Sequence, residues 1–217
     1  MPTQPYYITV DDKKVRVPSV TTITGRFKDS GGLIHWAWQC GTDGIDYRDA
    51  RDAAASAGTV AHGMIELFIK GEDPNSVECE DPEMLAKAQQ GFRNFKLWFS
   101  SSRVEILETE MPLVSETYRF GGCPDGLGTI GEDLTLLDWK TGNATYIEHI
   151  IQVRAYGRLV EENQRGIVQR YDLCRFSKEG ASFHHSSWSA EELEPAWQAF
   201  LKERALYDDL KVLKGLL

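Results

Sequence analysis

The period of apolar positions changes along the chain, and the changes mark out its elements. Tyr6–Val10 and Val15–Val17 are short β-rich runs on either side of Asp11-Asp12-Lys13-Lys14, the pattern of an N-terminal hairpin. Ser19, after Pro18, is placed to cap a short helix through Thr24. From Asp46 to Lys70, Ala53, Ala57, Val60, Ala61, Met64, Ile65 and Phe68 recur at three- and four-residue steps, which predicts a long amphipathic helix ended by Gly71. Pro82 opens a second helix that buries Leu85, Phe92, Phe95 and Phe99. Beyond Ser102 the period shortens to two. Val104–Ser115, Tyr118–Ile130 and Thr135–Lys140 read as three strands, turning at Glu116-Thr117 and at Gly131-Glu132-Asp133. A helix from about Ala144 to Asn163 follows, then strands over Ile167–Phe176 and Ala181–Ser187 around Lys178-Glu179-Gly180, then a last helix from Ser189 towards Leu210. Three meander strands, a crossover helix and further strands predict an α/β (α+β) fold, a central mixed β-sheet flanked by helices. One domain is expected over 1–217, with a hairpin and helical elaboration in 1–100 and the core in 101–187.

Composition narrows the picture. At 41% hydrophobic and 26% charged residues over 217 positions, the chain is a folded one with room for a full core. Its 24 Lys and Arg stand against 33 Asp and Glu, a net charge of −9, which excludes a protein that coats nucleic acid through broad surface charge. The excess is local: Glu72–Glu83 holds six acids and no base, whereas 137–180 holds seven bases and six acids. A site that concentrates its contacts in that second region does not need a basic surface. Cys40, Cys79, Cys123 and Cys174 are widely spaced with no CxxC pair, so reduced thiols are expected and a zinc or iron–sulfur centre is not. No apolar run reaches the ~18 residues of a membrane span, and the first ten residues lack a signal-peptide pattern, so a cytoplasmic location and no membrane partner are expected.

The chemistry concentrates in Phe120-Gly121-Gly122-Cys123-Pro124-Asp125-Gly126-Leu127-Gly128 and in Thr135-Leu136-Leu137-Asp138-Trp139-Lys140-Thr141. Side chains alternate along a strand, so Asp138 and Lys140 face one way and Leu137 and Trp139 the other. Asp125 lies on the preceding strand, where the turn can bring its carboxylate next to Asp138. Two adjacent carboxylates repel unless a cation sits between them, and a hard divalent ion, Mg2+ or Mn2+, suits oxygen ligands of this kind. An Asp-x-Lys on a strand is otherwise an ordinary surface salt bridge. His62 and Glu66 share one face of the first long helix, and Gln152 and Tyr156 one face of the later helix, with Arg154 and Arg158 forming a second pair. Arg26, Phe27, His35, Trp36 and Trp38 mix basic and aromatic side chains in a way that suits a single strand, or simply packs.

In joint order and spacing, Gly58-Thr59-Val60-Ala61-His62 with Glu66, Gly121-Gly122-Cys123-Pro124-Asp125, Asp138-Trp139-Lys140-Thr141 and Gln152-Val153-Arg154-Ala155-Tyr156 resemble the RecB-like exonuclease branch of the PD-(D/E)xK nucleases, phage-encoded and mitochondrial genome maintenance members above all. The resemblance covers about Pro18 to Phe176. It implies a restriction-endonuclease-like core and a metal-dependent DNA exonuclease working in DNA processing, recombination or repair. It also implies DNA with a free end or single-stranded DNA as substrate, and a recombination or replication partner protein. His62, Asp125, Asp138 and the Trp139 backbone carbonyl match the metal ligands of that family, Lys140 its catalytic lysine, and Gln152 and Tyr156 its Gln-x-x-x-Tyr motif. Glu66 and Glu110 are expected around these, Glu66 orienting His62 or pairing with a base and Glu110 more structural than reactive. Arg26, Arg154 and Arg158 are the expected DNA contacts. Some relatives carry a four-cysteine iron–sulfur cluster; the cysteines here do not match it, so none is expected. An endonuclease with the same site, a non-catalytic DNA-binding subunit retaining the fold, and an enzyme acting on RNA are the alternatives.

Overall fold

The structure, a computed structural model, describes residues 5–142 and 144–216. Strands β1 (Tyr6–Val10) and β2 (Lys13–Val17) pair antiparallel around Asp11 and Asp12, whose φ values of +47° and +61° are those of a two-residue hairpin turn. Lys13 and Lys14 therefore belong to the second strand rather than the turn. Helix α1 (Val20–Thr24) begins as expected, the Ser19 hydroxyl accepting the Thr22 N–H at 3.0 Å. Helix α2 (Gly31–Thr42) is one the periodicity does not announce. It opens on two glycines, has no side-chain cap, and buries Cys40 alone, so it carries no apolar stripe to read.

Helices α3 (Tyr47–Ile69) and α4 (Pro82–Ser102) are capped by Asp46 and Asp81 and joined through a 3-10 turn at Pro74–Ser76. Burial on α3 begins at Ala57, and Ala61, Met64 and Ile65 pack against Phe92, Phe95 and Trp98 of α4. Its first turns project, Ala53 included, so the expected apolar stripe is longer than the buried one. On α4, Trp98 takes the fully buried place, while Leu85 and Phe99 are half-buried.

The two strands expected as continuous runs, Val104–Ser115 and Tyr118–Ile130, are each broken. The first divides into β3 (Glu105–Thr109) and β4 (Leu113–Ser115), the second into β5 (Phe120–Gly122) and β6 (Gly126–Ile130). Glu110 sits at the first break with a φ of +49°, and Pro124, which lacks an N–H, at the second. The breaks face each other: the Glu110 N–H donates to the Asp125 carbonyl at 3.2 Å and the Met111 N–H to the Pro124 carbonyl at 3.4 Å. As a result β4 and β5 form a separate two-stranded ladder. The main sheet has the order β3-β6-β7-β8-β9, with β7 at Asp133–Lys140, β8 at Arg170–Phe176 and β9 at Phe183–Ser189. Strands β7 and β8 are parallel, joined by helix α5 (Ile147–Glu162); the other neighbours are antiparallel. Helix α6 (Glu194–Lys214) closes the chain, starting five residues later than its pattern implied.

Alternation on β7 divides the core. Leu136 faces a layer with Phe120, Tyr156, Leu159, Tyr171 and Phe200, under α1, α5 and α6; Leu137 and Trp139 face the opposite layer with Phe95, Trp98 and Phe176, under α3 and α4. Glycine lets α5 approach the sheet: a Cβ at Gly122 would lie 2.5 Å from the Tyr156 ring, and one at Gly157 2.3 Å from the Tyr171 ring. On β8 the buried Asp172 accepts from Arg170 Nε at 2.8 Å and lies 2.6 Å from His185 Nε2, so of the pair His184-His185 the second is the half-buried one, as alternation requires.

Candidate active site

Four elements meet at the C-terminal end of β7. Asp138 and Lys140 come from its last turn of pleat, Asp125 from the β5–β6 break, His62 from the buried half of α3, and Gln152 and Tyr156 from one face of α5. Asp138 is fully buried, and its Oδ2 lies 2.5 Å from Lys140 Nζ. Gln152 Nε2 spans the Asp138 Oδ1 at 3.4 Å and the Tyr156 hydroxyl at 3.0 Å. Asp125 Oδ2 accepts the Trp139 backbone N–H at 2.8 Å, which fixes the carboxylate against the strand end, and its Oδ1 lies 3.9 Å from His62 Nδ1.

One ligand atom from each of His62, Glu110 and Asp125 lies within 4.8 Å of the others, close enough for these residues to hold a metal ion. An imidazole and two carboxylates are a fitting donor set for a hard or borderline divalent ion. The break between β3 and β4 brings Glu110 into this group; as part of a continuous strand it had no reason to reach Asp125. Asp138 is outside this group, with the Lys140 ammonium as its immediate partner.

Electrostatics at the site follow from burial. Burial, and then Lys140, push His62 down to about 4, so its ring is neutral with a free lone pair at physiological pH. Burial, then the neighbouring Asp125, raise Glu110 to about 7. Asp125 and Asp138 are both raised by burial, with Lys140 opposing. Burial pulls Lys140 down, but Asp138 and Asp125 more than offset it and the ammonium is favoured. Tyr156 is held well above the usual phenol range, again by burial first and then by the two aspartates, and stays protonated.

Other expected residues lie elsewhere. Glu66 pairs with Lys70 at 2.6 Å. Arg154 and Arg158 stand some 200° around α5 from Gln152 and Tyr156, at ~100° per residue, and so turn away from the site. Arg154 is buried, donating to the Tyr171 hydroxyl at 3.0 Å with its guanidinium over Trp197, and Arg158 pairs with Glu161 and Glu162 over the Tyr118 ring. Arg154 is thus engaged inside the fold, while Arg158, with a partly exposed side chain, lies on the face of α5 away from Gln152 and Tyr156. Arg26 is exposed with its guanidinium over Tyr207 of α6. The four cysteines are free thiols in different elements.

Three side chains near the site carried no expectation. Cys123 lies with Sγ 3.5 Å from Glu110 Oε2, and Tyr6 packs over Gly121, its hydroxyl raised to about 12 by burial and then by Cys123 and Glu110. Tyr6 had no signal, since only the docking of the hairpin brings it there. His149 did: three residues before Gln152, it lies on the same face of α5, and burial followed by Lys140 and Lys28 lower it to about 4.

No known protein family matches the sequence, and no curated protein does. Solved structures do. A protein assigned as an exonuclease from Eubacterium rectale superposes with a TM-score of 0.50 at 10% identity, over 74% of this chain and 69% of that one. The alkaline exonuclease LHK-Exo from Laribacter hongkongensis gives a TM-score of 0.39 at 15% identity, over 65% of this chain and 78% of its own. The fold, a five-stranded mixed sheet flanked by helices, is thus shared with the Eubacterium rectale structure. Among the described residues, no helix is long and apolar enough to cross a membrane.

Proposed function

We propose that this protein is a metal-dependent DNA exonuclease, hydrolysing phosphodiester bonds at a free end or in a single strand. The observation that carries the reading is one arrangement: the His62, Glu110 and Asp125 ligand atoms within 4.8 Å of one another, beside the buried Asp138–Lys140 pair at the end of β7. His62, Glu110 and Asp125 would hold Mg2+ or Mn2+, with Asp138 and the Trp139 carbonyl adjoining. Such an ion polarises a phosphoryl oxygen and makes hydroxide available near neutral pH.

The chain's own groups do the rest. Lys140 presents an ammonium where negative charge builds on the phosphoryl oxygens, in a site dry enough for that charge to matter. Asp138 holds Lys140 in place and keeps it protonated. Gln152 fixes both the Asp138 carboxylate and the Tyr156 hydroxyl, and Tyr156, protonated, is available as a donor. His62, neutral, offers a lone pair rather than a competing proton. Recombination or repair of DNA is the process this activity would serve.

Purified protein with linear DNA and Mg2+ or Mn2+ tests the reading. Degradation that Asp125→Ala and Lys140→Ala each reduce at least ~10²–10³-fold supports it. Intact DNA, or unchanged degradation by both variants, sinks it. Cutting of closed circular DNA would replace the exonuclease with an endonuclease.

A further inference from the structure

A cleft of about 1140 Å3 opens beside the site, between α2, the projecting half of α3, the start of α4 and the segment entering α5. It lies next to the site. Gly142 on its wall is two residues past Lys140, so their Cα atoms are at most ~7.6 Å apart, and Ile151 on its floor precedes Gln152. His149, on the Gln152 face of α5, feels the charge of both Lys140 and Lys28 of the cleft.

The lining has an unusual character for a nucleic-acid protein. Phe27, Trp36 and Tyr146 face it together with the small residues Ala50, Ala53 and Ala54 of α3. Its charged residues are six carboxylates and only three lysines. Some of that charge is internally balanced, since Asp81 caps α4 and Glu83 pairs with Lys87 at 2.7 Å. What remains includes Glu203, raised by burial and then by the neighbouring Glu148. A phosphate entering this space would meet carboxylates in partly dry surroundings, which is unfavourable. A nucleobase carries no charge and presents a flat π-face, for which aromatic walls are suited. The volume is at or above the ~300–1,000 Å3 of pockets that hold drug-sized ligands, which gives room for more than one base.

We propose that this cleft is a base-binding subsite for single-stranded nucleic acid, taking unstacked bases next to the bond being cut while the backbone stays at its mouth near Lys140. The proposal rests on the nuclease reading for its position and deepens it by naming the strand form. Bases of an intact duplex are stacked and paired and cannot enter, so the subsite selects single strands or frayed ends. Trp36 is the principal wall, half-buried, with its ring edge-on to Tyr47 at 6.5 Å between centroids. Trp38, by contrast, is 62% exposed and stacked on His35 outside the cleft.

The test compares two substrates in the whole protein. For Trp36→Ala, the ratio of kcat/KM on a single-stranded oligodeoxynucleotide to kcat/KM on a small chromogenic phosphodiester falls about 5- to 150-fold, through KM on the oligonucleotide; Trp36→Phe keeps it near wild type. Separately, oligothymidylate titrated in EDTA quenches tryptophan fluorescence in the wild type, and Trp36→Phe and Trp36→Ala both lose that quench. An unchanged ratio in Trp36→Ala with the quench retained overturns the subsite. A protein that hydrolyses neither substrate yet shows the Trp36-dependent quench overturns the nuclease reading and leaves the subsite standing.

Discussion

Replacing Lys140 with methionine exposes how the site is balanced. Asp138 is fully buried and its Oδ2 is 2.5 Å from Lys140 Nζ, with Gln152 the other polar neighbour at 3.4 Å. Lys140→Met keeps most of the side-chain volume and removes the countercharge. A buried carboxylate left without its partner costs about 3–5 kcal/mol, unless it takes up a proton instead. Burial already raises the Asp138 pKa in the folded protein, and loss of Lys140, the largest opposing influence, raises it further. The sign follows: a raised folded pKa means the folded state binds the extra proton. The variant then loses stability as pH rises from the ordinary carboxylate value near ~3.9 to the new folded pKa, by up to ~1.4 kcal/mol per unit. Urea unfolding in EDTA at pH 5, 6.5 and 8 reads this directly. The expected destabilisation relative to wild type is small at pH 5 and about 3 kcal/mol or more at pH 8. Adding Asp138→Asn to Lys140→Met recovers most of the loss at pH 8, an interaction measurable in a double-mutant cycle. A destabilisation independent of pH, or no recovery in the double variant, refutes the reasoning.

Divalent ion binding gives a readout separate from cleavage: at 100 times its dissociation constant, Mg2+ or Mn2+ adds about 2.7 kcal/mol, or about 5–10 °C in Tm for a chain of this size, and Glu110→Gln reduces that shift by more than half. Asp172, whose pKa is lowered by its hydrogen bonds to His185, Arg170 and Ser187 against an opposing burial, contributes stability that is present above ~3.9 and lost as pH falls through its lower folded value. Tm followed from pH 6 to pH 2.5 therefore drops steeply below pH 4, and His185→Leu, which removes the 2.6 Å partner, lowers stability at pH 7 by about 1–3 kcal/mol. Gly157→Ala improves helix propensity by up to ~1 kcal/mol yet lowers the urea midpoint, because the new methyl meets the Tyr171 ring at 2.3 Å and overpacking costs about 1–3 kcal/mol. A higher midpoint for Gly157→Ala would show that α5 can lift from the sheet.

The sequence by itself determined the elements that carry a local signal. The cap at Ser19, the helix start at Asp46, Pro82 at the head of the second long helix, the Ala57–Met64–Phe68 spacing and the period-two runs after Ser102 place α1, α3, α4 and the strands. Strand alternation sends Asp138 and Lys140 one way and Leu137 and Trp139 the other, and helical spacing puts Gln152 and Tyr156 on one face of α5; both are properties of backbone geometry that need no partner to be true. Helix α2 carries no such signal, since it opens on glycines and packs almost nothing, and its importance lies in the cleft it walls. Tertiary structure alone decided that Glu110 joins His62 and Asp125, because that depends on two breaks in different strands lying opposite one another. It also decided that Arg154 is spent inside the fold: the same residue type at the same helical spacing can face a phosphate or a buried tyrosine, and only the packing of α5 between β8 and α6 distinguishes them. Local patterns fix which groups share a face; which face meets which is a long-range choice, made where the apolar layers close and the remaining charges must find partners.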